Sequence, residues 1–286
     1  RDEFVKIVMS PNPKQGIELL NETGLLAYFI PELERGIGVT QNQAHAFTVW
    51  EHLLRSLQHA ADSDWGLEIR LSALFHDIAK PQTKGISRET GQPTFYGHEV
   101  VGSRETRKIL QRMKFSREII EKVSKLVRWH MFFSDTVTIT LSAVRRMIVN
   151  VGKENIWDLM NVRICDRIGT GRPKADPYRL RKYKSMVEEA LRDPVTVGML
   201  NIDGRKIMEV GNMPAGPKVG LVLNALMEEV LDDPKLNTEE YLQEKTKKLL
   251  LLPEKELLEL AQKGKEKREE ADEDQLKEIR KRHLVS

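Results

Sequence analysis

The stretch Leu71-Ser72-Ala73-Leu74-Phe75-His76-Asp77-Ile78-Ala79-Lys80-Pro81 constrains this chain more than any other. An apolar helical run ends in His-Asp and then in Lys-Pro. An ionised carboxylate at the end of a buried segment is costly unless it is paired or bound to a metal. The fold must therefore bring other side chains to His76 and Asp77.

Helical spacing of apolar residues recurs through the rest of the chain, and no strand-like alternation competes with it. The fold class is all-α. The spacing predicts helices over 2–9, 14–22, 46–61, 66–78, 96–113 and 116–132. It predicts others over 140–149, 154–168, 176–192, 219–231, 238–252 and 254–283, with a loop or small hairpin at 81–95. Ser116 and Thr140 are good N-caps, and Gly152 is a good terminator. No apolar run approaches the roughly 20 residues of a membrane span, and no signal-peptide pattern is present. Cys165 is the one cysteine of the sequence, so it forms no internal disulfide and suits a reducing, cytoplasmic setting. The chain starts at Arg1 rather than Met, which predicts a fragment or a processed start.

Ligands for His76 and Asp77 can be sought among the other histidines. His45, His52 and His59 are spaced by seven and share one helix face, about 10.5 Å apart along the axis at 1.5 Å per residue. Metal–nitrogen bonds are about 2.0–2.1 Å, so at most one of the three can reach the same ion. His52 is central and is the choice. His45, at the helix start, is placed to touch substrate, and His59 reads as a partly exposed surface residue. Gly97-His98-Glu99 lies at a loop-to-helix junction, His130 near a helix end, and Asp166 inside an apolar helix. Metal candidates are thus His52, His76, Asp77, His98, His130 and Asp166. His52, His76, Asp77 and Asp166 would hold one ion, and His98 with His130 a second, a carboxylate bridging. Imidazole and carboxylate suit Mn, Fe, Co, Ni or Zn, Mg being a further candidate, with one or two divalent ions.

His52, His76-Asp77, Gly97-His98-Glu99, His130 and Asp166 together resemble the HD superfamily of metal-dependent phosphohydrolases, including the two extra histidines of binuclear members. Lys80 stands where that family often has lysine, while Ala79 replaces the glycine of many members. Arg1-Asp2-Glu3-Phe4, Gly24-Leu25-Leu26 to Pro31-Glu32-Leu33, Val49-Trp50-Glu51-His52 and Pro214-Ala215-Gly216-Pro217 resemble bacterial CCA-adding tRNA nucleotidyltransferases of the poly(A) polymerase type. The resemblance implies neck helices at 1–40, an HD domain at 41–193, and a helical, tRNA-binding body and tail at 194–286. It also implies that the nucleotidyltransferase head is absent. Asp62-Ser63-Asp64 imitates the head's Asp-x-Asp spacing but reads as a helix-end loop, so this chain alone is not expected to add nucleotides.

The expected reaction is phosphoester hydrolysis of the phosphatase or 2′,3′-cyclic phosphodiesterase type, with Asp77 and Lys80 catalytic and His45 and Arg104 on the substrate. Metal ions serve that chemistry by binding phosphate oxygens and lowering the pKa of water towards about 7. Lys80 reads equally as a solvated lysine completing a helix C-terminus. Between Arg163 and Lys184 basic residues outnumber acidic ones, which suits a phosphate backbone. The RNA candidates are Arg172, Lys174, Arg179, Arg181, Lys182 and, in the Gly216–Gly220 turn, Lys218. Tyr178 and Tyr183 lie among them and are candidates for base stacking. The competing reading is a tRNA-binding module whose HD site is silent. The partners expected are tRNA or other RNA and a phosphoester or cyclic nucleotide; no membrane is expected.

Overall fold

The computed structural model describes residues 1–41, 46–132, 139–192 and 197–285. It is all-α apart from one short hairpin. The chain divides into two compact units, Arg1–Val187 and Glu188–Ser286.

The first unit opens with α1 (Asp2–Met9), α2 (Pro13–Glu22) and the single turn α3 (Pro31–Glu34). Then come α4 (Val49–Asp62), α5 (Leu67–Phe75) and α6 (Lys80–Thr83). β1 (Gly85–Ile86) pairs antiparallel with β2 (Pro93–Thr94), Gly85 opposite Thr94. α7 (His98–Arg112), α8 (Arg117–Trp129), α9 (Leu141–Val151), α10 (Ile156–Gly169) and α11 (Tyr178–Leu191) follow. Proline at the first helical position starts α2 and α3, where its missing N–H costs nothing. Ser116 and Thr140 cap α8 and α9 as read, their hydroxyls accepting from Ile119 N and Ala143 N. α4 starts three residues later than its apolar spacing suggests. Thr48 and Glu51 form a reciprocal capping box there, a device worth about 1 kcal/mol.

A shared core joins the helices of this unit up to α8. Phe4, Val8, Ile17 and Leu26 from the opening helices pack with Leu53, Leu71, Phe75 and Val127 from the helices that follow. Residues 1–40 therefore share the interior of the helices after them. A buried arginine tightens the junction: Arg70 on α5 donates to Trp65 O at 2.7 Å, Val8 O at 3.1 Å and Ser10 O at 3.0 Å.

The second unit holds α12 (Gly204–Gly211), α13 (Pro217–Asp232), α14 (Glu239–Leu250) and α15 (Glu254–Arg282). Its core gathers Ile207, Val222, Leu226, Leu242, Leu249 and Leu257. α13 and α15 approach so closely that a Cβ at Gly264 would lie 1.9 Å from Asn224 O, a backbone atom. Gly264→Ala is expected to destabilise this unit by about 1–3 kcal/mol, because overpacking outweighs the gain in helix propensity. Chemical denaturation checks this; equal or higher stability would refute it. None of the described helices is long and apolar enough to cross a membrane.

Candidate metal centre

α5 ends at Phe75, so His76 and Asp77 lie in the turn beyond it and not in the helix that the spacing predicts. The chain tightens there, with Ile78 N donating to Phe75 O at 3.1 Å and Lys80 N to Asp77 O at 3.0 Å. Pro81 then contributes no amide to prolong α5. The turn aims both side chains inward, where His76 is fully buried and Asp77 is 1% exposed. His52 reaches them from α4, His98 from the first turn of α7, His130 from just past α8 and Asp166 from α10.

Asp77 joins two groups of donors. Its Oδ2 is 3.0 Å from His52 Nε2 and 3.3 Å from His76 Nε2. Its Oδ1 is 3.1 Å from His98 Nε2 and 3.4 Å from His130 Nε2. Asp166 Oδ1 completes the first group, 3.5 Å from His52 Nε2 and 3.7 Å from His76 Nε2. In each group every residue offers one donor atom within 4.8 Å of the others.

The imidazoles are fixed from behind. His76 Nδ1 lies 2.9 Å from Ala73 O, His98 Nδ1 2.6 Å from Phe95 O and His130 Nδ1 2.7 Å from Val127 O. A carbonyl only accepts, so each Nδ1 carries a hydrogen and each ring turns its Nε2 to the centre. Asp77 Oδ1, His98 Nε2 and His130 Nε2 are buried and make no hydrogen bond among the described residues. Buried polar atoms are rarely left that way, and the donor set suits a divalent cation.

The charges agree with that fit. Burial would raise Asp77 and Asp166, yet both stay well below the usual carboxylate range. Lys80 and His76 hold Asp77 down, and Arg163 and His76 hold Asp166 down. Burial lowers His52 and His130 and keeps them neutral. Burial also opposes the charge on His76, but the carboxylates of Asp77 and Asp166 outweigh it and raise its pKa to about 9. The two carboxylates thus stabilise positive charge at the point where the ring nitrogens converge.

A cleft of about 390 Å³ opens onto this centre, lined by Asp77, Lys80, His98, His130 and Asp166 and walled by Phe95 and Tyr96 at the hairpin's end. Lys80 is buried, 2.6 Å from Asp77 Oδ2 and 2.6 Å from Gln41 Oε1. It is the partner of Asp77, and not the solvated lysine that one reading allowed. Arg163, Arg167 and Arg172 line the same cleft. Burial lowers the Arg167 pKa, and the charges of Arg172 and Arg163 add to it, so an anion between these guanidinium groups relieves both burial and repulsion. Arg104 is on the exposed side of α7 and is not part of the cleft lining. His45 lies outside the described residues. His59 stays apart, its ring edge-on to Trp65 at 5.8 Å.

Among the RNA candidates, Arg172, Lys174 and Arg179 are exposed. Arg181 donates to Asp176 O at 3.0 Å, and Lys182 is half-buried. Lys218 reaches Leu250 O at 3.3 Å within the second unit. Tyr178 is exposed, but Tyr183 is 1% exposed with its ring 4.8 Å from Phe132, so it cannot stack on a base. Burial pushes the Tyr183 phenol up to about 12 from 10. A raised folded-state pKa gives a contribution fully present below pH 10 and lost towards pH 12. At about 1.4 kcal/mol per unit, the unit is expected to lose about 2–3 kcal/mol across that window. Tyr183→Phe should remove that part of the alkaline loss in urea unfolding, and an unchanged loss would refute the assignment.

Three things were not visible in residue spacing. Gln41 holds Lys80, Arg163 and Arg167 turn into the cleft, and Gly169 lets α10 lie against α4. A Cβ at Gly169 would sit 2.1 Å from Ser56 Oγ, 2.8 Å from His52 O and 2.9 Å from His52 Nδ1.

A helical domain that gathers His, His-Asp, His, His and Asp in this order around one buried carboxylate is an HD domain, and residues 49–168 match the HD domain family. Residues 1–37 match the family described as the probable RNA and SrmB-binding site of polymerase A. The chain is 33% identical over 234 residues to the CC-adding tRNA nucleotidyltransferase of Thermus thermophilus, covering 80% of this chain and 51% of that protein. It is 31% identical over 233 residues to the A-adding tRNA nucleotidyltransferase of Deinococcus radiodurans, covering 80% and 53%. It is 29% identical over 194 residues to a multifunctional CCA protein of Neisseria meningitidis, covering 66% and 46%. The chain is an HD-domain homologue of the bacterial tRNA nucleotidyltransferases, and it spans about half the length of these curated relatives.

Proposed function

We propose that the first unit is a metal-dependent phosphohydrolase acting on phosphoesters such as 2′,3′-cyclic nucleotides, within a protein that handles tRNA. The observation that carries the reading is the double use of Asp77: each carboxylate oxygen faces a different pair of imidazoles. His52, His76, Asp77 and Asp166 would hold one divalent ion, and Asp77, His98 and His130 a second. Bound there, such ions supply Lewis acidity towards a phosphate oxygen and an acidified water.

The chain's own residues do the rest. The carbonyls of Ala73, Phe95 and Val127 keep three ring nitrogens aimed at the centre before any substrate arrives. Lys80 fixes the Asp77 carboxylate and lowers the cost of burying it, so it acts as a positioning residue. Arg163, Arg167 and Arg172 would bind the phosphate and turn its ester bond towards Asp77. Phe95 and Tyr96 narrow the cleft on the other side. tRNA is the proposed partner, supported by the match over residues 1–37 and by the names of the relatives. Those names also favour a second reading, in which the unit only holds tRNA and hydrolyses nothing.

The two readings part on one experiment. The purified chain is expected to retain divalent metal and to hydrolyse 2′,3′-cyclic nucleotides or p-nitrophenyl phosphate when supplied with Mn, Co, Ni or Mg. His98→Ala with His130→Ala should lower the metal bound per chain while leaving the first ligand group loaded. A wild-type chain that binds no metal and hydrolyses neither substrate leaves only the binding reading.

A further inference from the structure

A second concave feature lies away from the metal cleft, where α7, α8 and α9 meet. It is a hollow of about 350 Å³, lined by Ser103 and Arg107 of α7, by Glu121, Ser124, Lys125, Arg128 and Trp129 of α8, and by Asn150 of α9. Neither the metal site nor the basic stretch at 163–184 uses these residues. We infer that this hollow is an RNA-strand subsite, taking a backbone phosphate between Arg107 and Lys125 and a base against Trp129. It rests on the reading of RNA as partner.

Charge carries the first part. α7 and α8 each have four basic residues and two glutamates. Part of that acidity is neutralised by neighbouring arginines. Glu105 pairs with Arg35 at 2.7 Å, Glu121 with Arg117 at 2.7 Å, and Glu99 lies 3.6 Å from Arg128. Arg107 and Lys125 make no contact ion pair among the described residues; both line the hollow and, after Arg117, both help to hold the Glu121 carboxyl below its ordinary range, so together they outnumber the one acid there. Two cations held on adjacent helices over a concave surface attract a phosphodiester, releasing its counterions.

Chemistry beyond charge carries the second part. Ser124 is 1% exposed, and its hydroxyl has no hydrogen-bond partner among the described residues. A hydroxyl beside two cations suits a phosphate oxygen. The indole of Trp129 is half-buried and backed by the Arg128 guanidinium 4.9 Å from its ring. An aromatic face next to phosphate-binding cations is the arrangement that holds single-stranded nucleic acid, since every base offers a π-face. Cations alone would serve an acidic peptide or an anionic lipid surface equally well, whereas an aromatic face beside phosphate-binding cations matches a ligand that alternates phosphate and base. RNA is therefore the occupant argued for.

The test measures binding of labelled tRNA to the full chain by fluorescence anisotropy across a salt series. Arg107→Glu with Lys125→Glu is expected to weaken binding about tenfold and to reduce the salt slope by about 0.7–0.9, the share of the one phosphate held between them. p-Nitrophenyl phosphate hydrolysis and the melting temperature should stay at wild-type values, which separates a lost contact from a misfolded chain. Trp129→Ala should weaken binding of a short oligouridylate several-fold, with Trp129→Phe restoring most of it. Wild-type affinity and slope in the doubly reversed variant would overturn this subsite while leaving RNA binding elsewhere intact. No tRNA binding by the wild-type chain would overturn the subsite and the RNA partner together. Loss of binding to anionic vesicles or to a phosphopeptide, with RNA binding unchanged, would overturn it in favour of that ligand.

Discussion

Asp77→Asn is expected to strip divalent metal from the purified chain and to lower phosphoester hydrolysis by at least about a hundredfold. The substitution keeps the shape of the side chain and removes its charge. Asp77 is the one residue shared by both donor groups, so both lose affinity together, whereas a change at His52 or His98 reaches one group only. Stability should move as well. Lys80 would remain buried with Gln41 as its hydrogen-bond partner, and leaving one member of a buried pair alone costs about 3–5 kcal/mol. Loss of metal with a lower melting temperature is the expected joint result, measured by elemental analysis and calorimetry. Full metal content with wild-type hydrolysis in Asp77→Asn would place the chemistry elsewhere.

Gly169→Ala is expected to weaken metal binding about 10- to 100-fold without altering any ligand. The added methyl group meets Ser56 Oγ, which can rotate, and His52 O, which belongs to the α4 backbone and cannot. α4 and α10 must then separate by a few tenths of an ångström or more. His52 and Asp166 lie on opposite sides of that contact, so the first donor group widens. A destabilisation of about 1–3 kcal/mol should accompany this. The discriminating readout is direct metal titration: His98 and His130, on other helices, should keep their share of the affinity. Wild-type metal binding in Gly169→Ala would mean that the helices absorb the methyl group without moving His52.

The helical class was open to reading because α-helices carry their apolar period in the chain itself. Ser116 and Thr140 announced their helix starts for the same local reason. The six candidate ligands were recoverable too, since each stands beside or inside an apolar segment, and histidine and aspartate are out of place there. Local signals were weaker at ends and turns. The run through Ile78 looks helical, yet the chain leaves the helix after Phe75. Tyr183 looked like a stacking residue among basic neighbours, and its burial against Phe132 is a fact about packing, not about composition.

At Asp77 the division is clearest. The neighbouring residues alone required that a carboxylate at the end of an apolar run have partners, because an unpaired buried charge is too costly. They could not say which oxygen meets which ring. That pairing depends on turns and helices as far apart in the chain as His52 and His130, converging on a shared core. The same convergence set Gln41 against Lys80, turned Arg163 and Arg167 into the cleft, and demanded glycine at position 169. Sequence spacing records contacts within one helix. Contacts between helices are written only in the folded chain.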